Sequence, residues 1–381
     1  MSTGKDFSLN ESEISSNEVR LRRSDLASWL PAMKRHRFGV AKLERPISIE
    51  VYDQWLAEGR HGDMSYLERH RDFKADPKKW LAFAKSALVF AIDYVPREVD
   101  SNAMNYVTSS SILRTALYTK YAAKQADYHL ALRLELEPVL RELESRYPNA
   151  HFRLAIDAEP VLERDLAVRA GLGWVGKNTC VIDRNGGSLF FIAEILTSLE
   201  TDEASFDATD FCGTCTRCVD ACPTGAIVEP RKLDATKCIS YWTIEAKTIA
   251  PTALRAKFGD WFYGCDICQT VCPWNGKVFG RERMQNESDV VRTRSATDLE
   301  QLTQELQEIL SSSNRELQRR FDGTPLARAR GFGLKRNALI IAANLKIAAL
   351  LPTVEGLLTD EKLGGLARET RDTILSTDLV V

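Results

Sequence analysis

The sequence predicts an α/β domain, then a small cysteine-rich module, then an all-helical C-terminal region. Three observations lead there. Short apolar runs rich in β-formers alternate with helical periodicity between about Arg20 and Leu199. Eight of the nine cysteines crowd into residues 212–272. Beyond residue 295, apolar residues recur only at helical spacing.

The bulk numbers set limits first. A chain of 381 residues has room for two or three domains. Its 44% hydrophobic and 27% charged content are those of a globular protein. The net charge of −2 gives no global basicity, so contact with nucleic acid would need a local patch. The longest clean apolar runs, such as Ala87–Ile92, are far too short to span a bilayer. Met1 to Val19 is rich in Ser, Asn and Glu and lacks the basic start and apolar core of an export signal, so it reads as a flexible tail. Grouped cysteines without such a signal point to a reducing cytoplasm.

In the first domain, Ser86–Tyr94 is an apolar, β-rich run ended by Pro96 and reads as a buried strand. Ser111–Tyr147 carries helical periodicity through Leu113, Ala116, Leu117, Leu130, Leu134 and Leu140, with Pro138 expected to kink or divide it. Phe152–Ile156 and Ser188–Leu196 read as further strands. Between them Val161–Ala170 is helical and is closed by Gly171 and Gly173. Asp157 falls at the end of a strand, before a helix opening near Pro160. There it has two readings: a partly desolvated carboxyl with a raised pKa acting as proton donor, or a helix cap. Gly171 to Lys177 either lets backbone approach a bulky ligand or makes a tight turn.

Thr201–Asp210 is an acidic linker, and the cysteine module follows. Its first set is Cys212-x2-Cys215-x2-Cys218-x3-Cys222-Pro223. The second is Cys238, then Cys265-x2-Cys268-x3-Cys272-Pro273. This is the bacterial ferredoxin pattern, in which the cysteine before proline crosses to the other cluster. Cys212, Cys215, Cys218 and Cys272 are then expected to hold one 4Fe–4S cluster, and Cys238, Cys265, Cys268 and Cys222 the second. A zinc ribbon also pairs CxxC motifs, but takes four thiolates per metal without the crossing before proline. Cys180, the ninth cysteine, sits among apolar residues and reads as a small buried hydrophobe or, less simply, as a reactive thiol. Twenty-six residues separate Cys238 from Cys265, where a plain repeat would leave two. The insertion is either a packing elaboration or a segment that reaches a cofactor or substrate.

After the polar stretch 281–295, Leu299, Leu302, Leu306 and Leu310 share one helix face. Gly331–Leu345 has the form of one HEAT-type helical unit. Arg315, Arg319, Arg320, Arg328, Arg330, Lys335, Arg336 and Lys346 stand against Glu316 and Asp322, a local balance of +6. Solvated helix faces explain such a run, and so does phosphate binding. Two clusters mean electron transfer. The α/β domain shows neither GxGxxG after a strand nor GxxxxGK[ST]. Asp127-Tyr-His129 lacks the glycine of the cobalamin DxHxxG pattern.

The combination resembles the epoxyqueuosine reductases, iron–sulfur and cobalamin enzymes that finish queuosine in tRNA. The resemblance runs through Val161-Leu-Glu-Arg-Asp-Leu-Ala, Arg169-Ala-Gly-Leu-Gly-Trp-Val-Gly-Lys-Asn178 and Cys222-Pro-Thr-Gly-Ala-Ile. It continues in Cys238-Ile-Ser-Tyr-Trp-Thr-Ile-Glu245 and Tyr263-Gly-Cys-Asp-Ile-Cys-Gln-Thr-Val-Cys-Pro-Trp-Asn275. His61-Gly-Asp-Met64 and Lys74-Ala-Asp-Pro77 also match, with lysine where the family's basic residue near the cofactor is usually arginine. The likeness covers nearly the whole chain, from about residue 21.

What the resemblance implies is specific. A nitroreductase-like α/β domain over residues 21–205 holds cobalamin, with a tail over 1–20 before it. A two-cluster ferredoxin-like domain follows over 206–280, and a HEAT-like region that docks tRNA over 290–381. Asp157 is the proton donor, and Lys74, Lys177, Asn178, Ser240 and Tyr241 lie about the cofactor. Electrons from an outside one-electron donor pass through both clusters to cobalamin, and epoxyqueuosine at the wobble position of an anticodon becomes queuosine. The chain is expected to act as a monomer away from membranes. Two other classes fit the cysteines alone: a dehalogenase-like reductase of small molecules, which would not depend on tRNA, and a non-catalytic electron carrier, which would bind no corrin.

Overall fold

The structure, a computed structural model, describes residues 20–29, 36–95, 112–120, 127–204, 209–276 and 294–376. The expected tail before Arg20 and nearly all of the polar stretch 281–295 lie outside the described residues.

A four-stranded antiparallel sheet organises the N-terminal half. Its strands are β1 (Arg37–Lys42), β2 (Ser86–Asp93), β3 (Phe152–Ala155) and β4 (Phe190–Thr197), in the order β1-β2-β4-β3. The three expected strands are present within two residues of their predicted ends. β1 went unread because Gly39, Ala41 and two basic residues dilute its β character. Helix α1 (Ile49–Ala57) follows β1, α2 (Tyr128–Arg146) precedes β3, and α3 (Glu163–Arg169) joins β3 towards β4. Leu88, Phe90 and Ile92 of β2 pack with Leu132, Leu136 and Leu143 of α2. Ala87, Val89 and Ala91 pack on the other face with Leu166 and Ala167 of α3. Burial on both faces is why this strand reads as an unbroken apolar run rather than an alternating one.

The helical reading of 111–147 is corrected at both levels. Among the described residues only Tyr128–Arg146 is α-helical; Arg114–Thr115 instead pairs in parallel with Trp261–Tyr263, and Leu117–Lys120 forms a 3-10 turn. Pairing with a distant strand overrides local periodicity there. α2 runs through Pro138 undivided. It buries Leu132, Leu136, Val139 and Leu143, whereas Leu130 and Leu134 are exposed, because the i, i+4 spacing occurs on two faces.

The C-terminal helices are α4 (Ala296–Ser311), α5 (Asn314–Arg320), α6 (Arg330–Asn344) and α7 (Gly364–Leu375). Ser295 with Asp298, and Ser313 with Glu316, form capping boxes that start α4 and α5. Leu302, Leu306, Ile309 and Leu310 face inward from α4, while Leu299 is exposed. The insertion between Cys238 and Cys265 shares their core, through Ile239, Phe258, Trp261, Phe262 and Tyr263. α6 ties it down with polar side chains. Arg336, 1% exposed, donates Nη1 to the carbonyls of Ala246 (2.6 Å) and Thr248 (2.9 Å), and Nη2 to that of Trp242. Asn337 donates to Thr243 and Phe262, both at 2.8 Å. Asn344 donates to Arg255 (3.0 Å) and Gly259 (2.9 Å).

The +6 stretch is therefore not one surface patch. Arg336 is interior, Arg320 pairs with Glu308 at 3.0 Å, Arg328 pairs with Glu245, and Lys346 donates to the Ser376 carbonyl at 3.2 Å. Arg315, Arg319 and Arg330 remain exposed.

Candidate active site and cluster module

A cavity of about 1700 Å³ opens where the three regions meet. The α/β half supplies Ile47, Val51, Trp55, Lys74, Asp157, Glu163 and Trp174; the cysteine module supplies Arg231 and Glu245; the C-terminal part supplies Gly323, Thr324, Pro325, Ala327 and Arg328. This exceeds the roughly 300–1000 Å³ of a pocket for a drug-sized ligand. Ile47 and Val51 on its wall are 69% and 62% exposed, an apolar surface that a large ligand would cover.

Asp157 stands two residues past β3, with φ at 56°. Its peptide N–H donates to Glu163 Oε1 at 2.7 Å. Its Oδ2 accepts from the Tyr128 hydroxyl and lies 3.3 Å from His129 Nε2. Tyr128 is held in turn, stacked on Phe191 at 4.8 Å and edge-on to Tyr118 at 5.8 Å. Burial alone would push the Asp157 carboxyl up, but the hydrogen bonds from His129 and Tyr128 outweigh it and hold the group below the usual carboxylate range. The side chain is 54% exposed, opening on the cavity. The expected raised pKa is thus corrected, and so is the capping alternative: α3 begins at Glu163, and no side chain caps it.

The opposite displacement occurs just beneath. Burial, then repulsion from Asp157, pushes Glu163 up to about 8. Glu194 of β4 is fully buried and is likewise raised well above its ordinary value, by burial and then by Glu163. Lys74 donates Nζ to the Val161 carbonyl at 2.8 Å; burial lowers its pKa, partly offset by Glu163. His129 is raised: burial opposes its charge, but hydrogen bonds to Asp157 and Asp127 prevail. At neutral pH the cavity floor therefore keeps an ionised Asp157 over two carboxyl groups that favour their protons.

Of the predicted cofactor contacts, Lys74 and Asp157 line the cavity, whereas Lys177, Asn178, Ser240 and Tyr241 do not. Those four brace the loops around it. Lys177 Nζ donates to the carbonyls of Gly213 (2.6 Å) and Cys215 (2.9 Å). Asn178 donates to Cys268 at 3.2 Å, and Ser240 to Cys265 at 3.4 Å. The Tyr241 hydroxyl accepts the Asp63 N–H at 2.8 Å. At Gly62, with φ at +58°, a Cβ would stand 2.5 Å from that hydroxyl, so glycine is needed there for conformation and for space. The sequence reading gave no site role to Tyr128, His129, Glu163 or Glu194. The Asp127-Tyr-His129 triplet was the available signal for the first two.

The cysteine thiols interact electrostatically in two sets. Cys272 is raised by burial and then by the charges of Cys218, Cys212 and Cys215. Cys238 feels Cys222, Cys265 feels Cys238, and Cys268 feels Cys180 first and then Cys265 and Cys238. Cys180 apart, these neighbours group as the crossed ferredoxin pattern expects. Cys180 is pushed up to about 12 by burial, as befits a packing residue. No helix among the described residues is long and apolar enough to cross a membrane.

Comparison with known proteins agrees with this geometry. Residues 211–275 match the family model for the 4Fe-4S double cluster binding domain, and residues 74–158 that for Epoxyqueuosine reductase QueG, DUF1730. The chain is 38% identical over 293 residues to an epoxyqueuosine reductase from Xanthomonas campestris, covering 77% of this chain and 78% of that one. It is 33% identical over 343 residues to one from Pseudomonas aeruginosa, covering 89% of each. A crystal structure of epoxyqueuosine reductase with an epoxyqueuosine-modified tRNA stem loop superposes with a TM-score of 0.70 at 28% identity, covering 92% of this chain and 89% of that one. An α/β sheet domain, a double-cluster module and relatives of this extent together assign the chain: it belongs to the epoxyqueuosine reductase family of oxidoreductases.

Proposed function

We propose that this protein reduces epoxyqueuosine to queuosine in the anticodon loop of tRNA, using two 4Fe–4S clusters and cobalamin. The observation that carries the reading is the Asp157 carboxylate at the floor of a cavity of about 1700 Å³, beside a module with two thiol sets. Cys212, Cys215, Cys218 and Cys272 hold one cluster, and Cys222, Cys238, Cys265 and Cys268 the other. An outside one-electron donor feeds them.

The cavity's size and its uncovered Ile47 and Val51 suit a corrin. Cobalamin bound there supplies the reducing power that opens the C–O bond. Lys74 and Asp157 line its site, and Lys177, Asn178, Ser240 and Tyr241 fix the loops that border it. Asp157 delivers a proton to the departing oxygen. As a carboxylate of low pKa in the resting protein, it takes that proton first from protonated His129, which already touches it. Tyr118, Tyr128, Tyr263 and Arg328 line the cavity as well, where an unstacked base can rest against them.

The sheet region corresponds to a nitroreductase-like domain over 21–205, and the cysteine module to a domain over 206–280. The helices after residue 290 form a HEAT-like tRNA-docking region through Arg315, Arg319 and Arg330. Nucleoside mass spectrometry tests the whole. Anaerobic protein with reductant and epoxyqueuosine-bearing tRNA should yield queuosine only when cobalamin is added. No conversion, with clusters and corrin both bound, would move the assignment to a small-molecule reductase.

A further inference from the structure

We propose that Glu163 is a positioning residue for Asp157: its carboxyl oxygen holds the Asp157 peptide N–H, and with it the left-handed turn that presents the Asp157 side chain to the cavity. The inference rests on the reading of Asp157 as proton donor. A φ of 56° is uncommon for any residue but glycine, and here a side chain must be carried, so glycine is no substitute. Something must hold the turn, and two acidic side chains do. Glu159 Oε2 accepts the Ile156 N–H at 2.8 Å, and Glu163 Oε1 accepts the Asp157 N–H at 2.7 Å. From the other side Tyr128 and His129 fix the carboxylate itself. Asp157 is thereby clamped between α3 through its backbone and α2 through its side chain.

The ordinary role of an acid in the first turn of a helix is to meet the helix's free N–H groups. Glu163 opens α3, yet α3 has no side-chain cap, and this carboxyl turns back to the Asp157 peptide. Its surroundings explain what kind of acceptor it is. Glu194 lies fully buried close by, neither oxygen having a hydrogen-bond partner among the described residues, and burial together with the charge of Asp157 opposes a negative charge on Glu163. Lys74, the Asp157 N–H itself and Arg164 offset this only in part. Glu163 therefore works as a neutral carbonyl-type acceptor, which an amide reproduces.

The test uses protein carrying both clusters and cobalamin, with two readouts. One is hydrogen–deuterium exchange resolved to the Asp157 amide. The other is queuosine formation. Glu163→Ala should speed exchange at Asp157 and lower turnover by about tenfold to a hundredfold, with cluster and corrin absorbance unchanged. Glu163→Gln should stay close to wild type in both. Wild-type exchange in Glu163→Ala overturns the proposal. So does a Glu163→Gln variant that fails as badly as Glu163→Ala, since an acid would then be required rather than an acceptor. If no variant, wild type included, converts tRNA, the functional reading fails while the exchange data still decide the clamp.

Discussion

Replacing Arg336 separates a structural cation from a nucleic-acid contact. Arg336→Met keeps most of the side chain's length and apolar contact but removes the guanidinium. Three carbonyls, of buried Ala246 and of part-buried Trp242 and Thr248, then lose their donor. An unmet buried acceptor costs about 1–3 kcal/mol and the part-buried two lie near the lower end, so the loss is roughly 3–5 kcal/mol. Burial draws this guanidinium down to about 10, leaving it charged at neutral pH, so the cost of desolvating it is recovered on substitution and favours the lower half of that range. Even 3 kcal/mol is a large share of a total stability of about 5–15 kcal/mol. The carbonyls belong to the insertion between two cluster ligands, so the damage should centre there. Thermal unfolding should shift down by about 4–6 °C, amides of residues 239–264 should exchange faster, and iron should be lost on standing. Arg319→Met, at an exposed position of α5, should leave all three unchanged while weakening tRNA binding. An Arg336→Met protein with wild-type melting, and reduced tRNA affinity as its only defect, would refute the reasoning.

Other outcomes follow from the same structure. Asp157→Asn should retain clusters and cobalamin by absorbance yet lose at least about a hundredfold in turnover, the usual range for a general acid; full activity would remove the donor role. Tyr128→Phe removes a hydrogen bond that lowers the Asp157 pKa, so the fall in activity with rising pH should move to higher pH in the pH–rate profile. Glu194 favours its proton in the folded state far more than in the unfolded chain, so its contribution to stability is intact below the unfolded value near 4.5 and is lost as pH rises. Glu194→Gln should accordingly gain in melting temperature over wild type progressively from pH 5 to pH 8; a pH-independent difference would count against a buried neutral carboxyl. Cys272→Ala should cut iron content from about eight to about four per chain and spare the cluster of Cys222, Cys238, Cys265 and Cys268. Loss of the other cluster instead would break the crossed ligand assignment.

Much of the fold was legible because it rests on local chemistry. The run Ser86–Asp93 could be read as a strand because both its faces are buried, and α4 because its apolar residues recur at helical spacing after a serine cap. The cysteine spacing pointed to the double-cluster domain, since most of its cysteines lie in two short motifs that each end before a proline. Reading failed where the deciding partner lies far along the chain. Arg114–Thr115 is a strand only because Trp261–Tyr263 runs beside it. Leu130 and Leu134 look as core-like as Leu132 and Leu136 until the sheet chooses a face.

The site divides along the same line. The residue types that bind clusters, and Asp157 as a candidate acid, are properties of short motifs whose geometry travels with the sequence. The protonation of Asp157 is not such a property. It depends on Tyr128 and His129, twenty-nine and twenty-eight residues away on another element. The +6 charge balance likewise said nothing of which cations face water; packing sent Arg336 inward to bind carbonyls and left Arg319 outside. Composition and spacing determine which groups are available, because covalent order fixes those. Tertiary structure alone decides their solvation and their neighbours, because desolvation and charge interactions depend on distances in space rather than on positions along the chain.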